Sequence, residues 1–125
     1  MVYSEDGSMS KDSATYKWAS NLLPLTEKIG RVSSPGPKLE GWVRDAGFKN
    51  IVARRFKLPV GPWAKDPVLK EVGIINLIQM LNGLEAFSFR LLCDVGGWSE
   101  TEVHVMLAQV RKEMKDPAFH IQMDL

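Results

Sequence analysis

The chain has 125 residues, the length of one ordinary domain. Apolar residues make up 45% and charged residues 25%, the globular norm. Sixteen basic against fifteen acidic residues leave a net charge of +1, which gives no basic field for nucleic acid; Cys93, the single cysteine, excludes an internal disulfide and a cysteine-based metal site.

The opening MVYSEDGSMSKD is polar and acidic, without the apolar stretch of a secretory signal. With the lone cysteine it sets the expectation of a cytoplasmic or nuclear protein that is not secreted. The longest uncharged run, between Glu71 and Glu85, has 13 residues and includes Asn76, Gln79 and Asn82. That is short and polar for a bilayer span, so no membrane partner is expected.

In chain order, residues 1–11 read as a loose polar lead-in, and 12–125 as one domain. Asp12 or Ser13 caps a helix running to about Ile29, where Gly30 stops it. Trp18, Leu22, Leu25 and Ile29 form its apolar face, and Pro24 is expected to kink or split it. Arg31 to Gly36 is a loop. Pro37 opens a short second helix with Leu39, Trp42, Val43 and Ala46 inward, ended by Gly47. Residues 49–58 (KNIVARRFKL) read as a strand, closed by Pro59.

Val60 to Asp66 (VGPWAKD) is a stiff loop, and Asp66–Pro67 starts a long helix. Helical pattern persists to about Val95, with a break or bend expected at Asn82–Gly83. Its residues 69–92 are apolar on more than one face, which suits burial, a cavity wall or a protein contact. Gly96–Gly97 is a turn, and Ser99 with Glu102 forms a capping box for a last helix to about Lys115. Residues 119–125 alternate apolar and polar and read as a strand. The fold class is therefore α+β and helix-rich, with four to five helices and two antiparallel strands, 49–58 and 119–125.

The chain has no GxGxxG, P-loop, HExxH, GxSxG or CxxC. His104 reads as a structural side chain on a helix. His120, at the start of the last strand, is either an outward polar residue or a proton acceptor at a cavity mouth. Trp63 either pins its loop to the core or walls a small-molecule pocket. Arg54 and Arg55 point to opposite faces of a strand and cannot form one clamp. The candidate site residues are thus Trp63 and His120, with no metal ligand and no catalytic set.

Several blocks together resemble one family. They are Ser4-Glu5-Asp6-Gly7-Ser8-Met9 with Asp12-Ser13-Ala14 and Trp18; Ala46-Gly47-Phe48 before Val52; and Lys57-Leu58-Pro59-Val60-Gly61-Pro62-Trp63-Ala64-Lys65-Asp66. Gly83-Leu84-Glu85-Ala86, Gly97-Trp98-Ser99 with Glu102-Val103, Val110-Arg111-Lys112-Glu113 and His120 follow in order. They resemble the C-terminal region of the fungal LaeA-like class I methyltransferases, which use S-adenosylmethionine and are common in secondary metabolism. The resemblance implies a Rossmann-like parent fold, a small-molecule methyl acceptor and S-adenosylmethionine as the family's cofactor. It also implies that the family's glycine-rich cofactor turn, and the acidic residue after it, lie outside this chain. The expectation is a truncated relative that binds no cofactor and is inactive alone. Two strands without a neighbour expose an edge. Self-association, or a partner protein such as a full-length paralogue, is expected through that edge and the 69–92 segment. A repurposed small-metabolite binder or cyclase, using Trp63 and His120, is the remaining alternative.

Overall fold

The computed structural model describes residues 2–125. The chain is helix-rich α+β, in the order β1 (Val2–Tyr3), α1 (Ala14–Lys28), α2 (Gly36–Asp45), β2 (Lys57–Pro59), α3 (Pro67–Phe89), a π-helical turn (Arg90–Val95), α4 (Glu100–Lys115) and β3 (Gln122–Asp124). The three strands form one antiparallel sheet in the order β1-β3-β2. Tyr3 and Pro59 both lie opposite Gln122. The two outer strands therefore run parallel to each other, with β3 reversed between them. Their carboxyl ends and the start of β3 meet at one end of the sheet.

The lead-in expected to be loose is ordered. Val2 and Tyr3 pair with Met123 and Gln122. Beyond them Ser4 Oγ accepts from the Met9 amide at 2.9 Å, and Met9 is buried. Two apolar side chains buried in ten residues are enough to fix a segment that is polar on average. β3 thus has a partner on both sides, and the expected two-stranded arrangement becomes three-stranded.

The strand expected over 49–58 shrinks to Lys57–Pro59. Register pairs Lys57 with Asp124, and one further pair of backbone bonds, between Phe56 and Leu125, completes the ladder. Residues 49–55 lie beyond the reach of β3, and Val52 and Phe56 are exposed. β-propensity without a pairing partner does not make a strand.

α1 starts as its sequence directs, with Ser13 Oγ accepting from the Tyr16 amide. A second cap comes from far away. The Glu113 carboxylate on α4 accepts the Ala14 amide at 2.8 Å and the Thr15 amide and hydroxyl at 2.7 Å. Pro24 does not split the helix. It lies on the exposed side, where water can satisfy the carbonyl that its ring leaves unpaired. Trp18 is buried and donates its indole N–H to Ser88 Oγ at 2.8 Å, and Ser88 in turn donates to the Leu84 carbonyl. This buried chain of polar groups keys α1 to α3.

α3 runs through Asn82–Gly83 without a break. Leu84, Ser88 and Leu92 repeat every four residues and are fully buried. Burial of that stripe, about 2 kcal/mol per leucine, outweighs the roughly 1 kcal/mol that a mid-helix glycine costs. The irregularity falls later, in the π-helical turn, which Gly96 and Gly97 close against the Leu91 and Cys93 carbonyls. α4 has the expected capping box, with Ser99 and Glu102 bonded reciprocally. Val103, Leu107, Val110 and Met114 are its buried face.

α2 buries nothing: Leu39, Trp42 and Val43, expected inward, are all exposed. Along α3, Val68, Leu69, Ile74, Ile75, Ile78 and Phe87 are exposed too. By length and composition, Pro67–Val95 is long and apolar enough to cross a membrane, which its 13-residue uncharged core alone would not suggest. Here the helix lies along the sheet, clamped to the loop after β2. The Asn76 side-chain amide donates to the Pro59 carbonyl, and the Gly61 amide donates to the Gly73 carbonyl at 2.8 Å.

Candidate functional site

The chemistry-bearing residues gather where β1 and β2 end and β3 begins. β1 leads into Ser4–Met9, β2 into the Val60–Trp63 loop, and His120 precedes β3. The turn after β1 is built by Asp6, whose carboxylate accepts the Ser8 amide at 3.0 Å, while Gly7 takes φ +76°. Ser8 Oγ then accepts the His120 backbone amide at 2.9 Å. His120 Nδ1 lies 2.5 Å from the second Asp6 oxygen. Two bonds 112 and 114 residues apart in sequence thus join the first turn to the last strand.

Trp63 completes the corner. Its indole N–H donates to the Ile121 carbonyl at 2.9 Å, and the same carbonyl accepts the Val60 amide at 2.8 Å. The indole face stacks on the His120 imidazole with centroids 5.0 Å apart and planes 24° apart. Trp63 is therefore both a pin for its loop and a wall beside His120. The two expected candidates are in direct contact. Asp6 is a third member of the corner that the sequence did not point to. Its signal was the Asp6-Gly7-Ser8 turn signature, but nothing in the sequence links that turn to residue 120.

The corner is open, with the Asp6 and His120 side chains about half exposed. With Nδ1 engaged by Asp6, Nε2 is the free ring nitrogen of His120 and has no hydrogen-bond partner among the described residues. Gln122, two residues on, is 6% exposed; its buried Nε2 makes no hydrogen bond of ordinary geometry among the described residues, and the side chain faces the Glu5 carboxylate, whose pKa it helps to lower. The strand edges are held by ion pairs. Arg55 binds Asp124, and Lys57 binds Glu5 at 2.5 Å. The Arg55 guanidinium, then the Tyr3 hydroxyl, lowers the Asp124 pKa, and the Lys57 ammonium lowers that of Glu5. Arg54 and Arg55 form no joint clamp, since Arg55 is taken by Asp124 and Tyr3.

The Ser8 amide and hydroxyl, with His120 behind them, hold the Asp6 carboxyl down to about 2 from an ordinary 3.8. A carboxylate whose pKa falls on folding contributes stability above its unfolded value and loses it as pH drops through its folded one. Wild-type stability is accordingly expected to fall more steeply than that of Asp6→Asn between about pH 4 and pH 2, with the two converging at the acid end. Urea midpoints across that range check this. Parallel curves would show that Asp6 is not linked to folding.

The other candidates stand apart. His104 is exposed on α4 and meets Phe89 edge to face at 4.7 Å. Cys93 is half-buried, and burial raises its thiol pKa, opposite to an activated nucleophile. No group of three or more metal-ligating side chains occurs among the described residues. Two open grooves lie elsewhere. One of about 350 Å³ runs between Lys17 on α1 and Met106 on α4, beside Trp98, and one of about 340 Å³ lies over Glu113 and Phe119. Neither reaches the corner of Trp63 and His120.

An adenosine-bearing cofactor in an open α/β sheet sits in a crevice between adjacent parallel strands, on a glycine-rich turn. Here β3 separates the two parallel strands. The Gly61 amide after β2 is already bonded to Gly73.

No family model and no solved structure matches the chain. Curated fungal proteins do. It is 42% identical over 124 residues to "Methyltransferase pytC" of Aspergillus terreus, covering 99% of this chain and 38% of that protein. It is 32% identical over 119 residues to "Probable methyltransferase tdiE" of Emericella nidulans, covering 95% of this chain and 38% of that protein. To "Secondary metabolism regulator LAE1" of Cochliobolus heterostrophus it is 26% identical over 117 residues. The chain thus spans about two fifths of the length of the relatives it matches (38%) while matching them along almost all of its own. It is a relative of the fungal LaeA-like methyltransferases and corresponds to their C-terminal region.

Proposed function

We propose that the chain is the sheet-edge, acceptor-facing portion of an S-adenosylmethionine-dependent methyltransferase of fungal secondary metabolism, and that the methyl donor is held by residues outside it. The observation that carries this reading is the convergence of Asp6, Trp63 and His120 at the carboxyl ends of two parallel strands. In open α/β sheets that is the end where ligands bind. The corner offers a hydrogen-bonding histidine and an aromatic wall to a small-molecule acceptor. The chain offers no crevice for the donor and is inactive alone.

The uncovered apolar faces of α2 and α3 support a docking role in the same reading: they are where the cofactor-binding part, or a full-length paralogue, packs. Left alone, the chain self-associates through them. We place it in the cytoplasm or nucleus. Calorimetric titration of the isolated chain with S-adenosylmethionine is the test. The expected result is no saturable heat at micromolar concentrations, with sedimentation showing concentration-dependent association. Micromolar binding of the cofactor would overturn the division of labour.

A further inference from the structure

We infer that His120 Nε2 is the hydrogen-bond acceptor for a hydroxyl group on a planar small molecule, a phenol in the simplest case, with Asp6 fixing the imidazole tautomer and Trp63 its plane. The inference deepens the acceptor-side reading above and rests on it for biological meaning, but its chemistry stands on this corner alone.

A neutral imidazole has one donor and one acceptor nitrogen, and the partner of the first decides which is which. Asp6 is ionised through the neutral range and can only accept, so its contact with Nδ1 places the proton there. The lone pair is then on Nε2, the nitrogen without a protein partner. Asp6 cannot swing away freely, because the Ser8 amide holds its other oxygen. The ring cannot tilt freely, because the indole lies against one face and is itself tied to the Ile121 carbonyl. The His120 backbone is fixed through Ser8 Oγ. Every degree of freedom of the imidazole is constrained from a different segment: the turn after β1, the loop after β2, and β3. A surface histidine that only tied the turn to the strand would need the Asp6 contact. It would need neither the stacked indole nor an open second nitrogen.

The ligand must therefore bring a donor to Nε2 in the plane of the imidazole, from beyond the ring edge. A hydroxylated aromatic satisfies this requirement. A methyl aryl ether, the same ring without the proton, does not.

The chain labelled with 15N-histidine and 15N-tryptophan is titrated with phenol and, separately, with anisole. Phenol is expected to shift the His120 Nε2 resonance and the Trp63 indole signal, half-saturating at about millimolar concentration. Anisole is expected to bind about tenfold more weakly, the worth of one hydrogen bond to an aligned acceptor. Both arms use the native chain, so no variant has to fold for the comparison to be made. Asp6→Asn then tests the positioning role through a readout that a structural tie would not move: the Nε2 and Nδ1 shifts are expected to pass from one tautomer to a mixture. Equal binding of phenol and anisole, or phenol shifts that miss both His120 and Trp63, would overturn the inference. Methyl transfer by a reconstituted enzyme is a separate measurement. If it persists while phenol fails at this corner, the acceptor-side reading stands and the role given to His120 does not.

Discussion

Gly73→Ala is expected to destabilise the chain by about 1–3 kcal/mol, although alanine improves the intrinsic helix propensity of that position by roughly 1 kcal/mol. An added Cβ would stand 2.1 Å from the Gly61 carbonyl oxygen and 3.1 Å from its carbon, a collision with backbone. Nothing there is free to turn aside. Gly61 sits at φ +104°, which only glycine adopts cheaply, and its amide is bonded to the Gly73 carbonyl. To admit the methyl group, α3 must lift from the loop after β2, which loosens the Asn76 bond to Pro59 and the seat of Trp63. Gly83→Ala is the internal control in the same helix. Its Cβ would meet the Phe87 ring at 2.6 Å, but Phe87 is 53% exposed and can rotate. That variant is expected to be as stable as the wild type or better. Urea denaturation followed by circular dichroism ranks the three proteins. A Gly73→Ala chain at least as stable as the wild type would refute the close approach of α3 to the loop.

The contrast between these glycines also marks what the sequence can reveal. Both glycines are poor helix formers by local propensity. What distinguishes them, a carbonyl arriving from residue 61 and an open ring at residue 87, is tertiary. The same holds for the expected break at Asn82–Gly83. The local signal was real, but the Leu84, Ser88 and Leu92 stripe crosses it and burial decides. Where signal and structure are both local they agree, as at the Ser99–Glu102 box, the Ser13 cap and the Asp66–Pro67 start. α2 forms where expected, but its inward face and the strand over 49–55 both lack a partner. Amphipathicity shows that a face is fit to be covered, and it does not supply the cover. At the site, Trp63 and His120 were legible as separate ambiguities. Their stacking was not, and Asp6 was hidden among residues that had been read as a loose, acidic lead-in.

Glu113 is the second residue whose loss should be large, and its role is invisible along the chain. It looks like one more charged position on the polar side of α4, yet its carboxylate caps the first turn of α1. Three donors converge on it: the Ala14 amide, the Thr15 amide and the Thr15 hydroxyl, all within 2.8 Å. The first amides of a helix have no internal partner, and the helix dipole places partial positive charge there. Glu113→Ala removes the acceptor while Thr15 stays fully buried, so water cannot replace it. Hydrogen bonds to a charged group contribute about 1.5–3 kcal/mol, and orphaned buried donors add to the loss. The expected cost of Glu113→Ala is about 2–4 kcal/mol. Glu113→Gln keeps one acceptor oxygen and the shape and should cost less than half of that. Thr15→Val in the Glu113→Ala background should recover part of the loss, because it removes a donor left unpaired. Urea unfolding of the wild type, Thr15→Val, Glu113→Ala and the double variant closes this cycle, with Glu113→Gln and Lys112→Ala measured beside it. If Glu113→Ala cost no more than Lys112→Ala, its exposed neighbour, α1 would be held by its apolar face and the Trp18–Ser88 bond, and the cross-helix cap would contribute nothing.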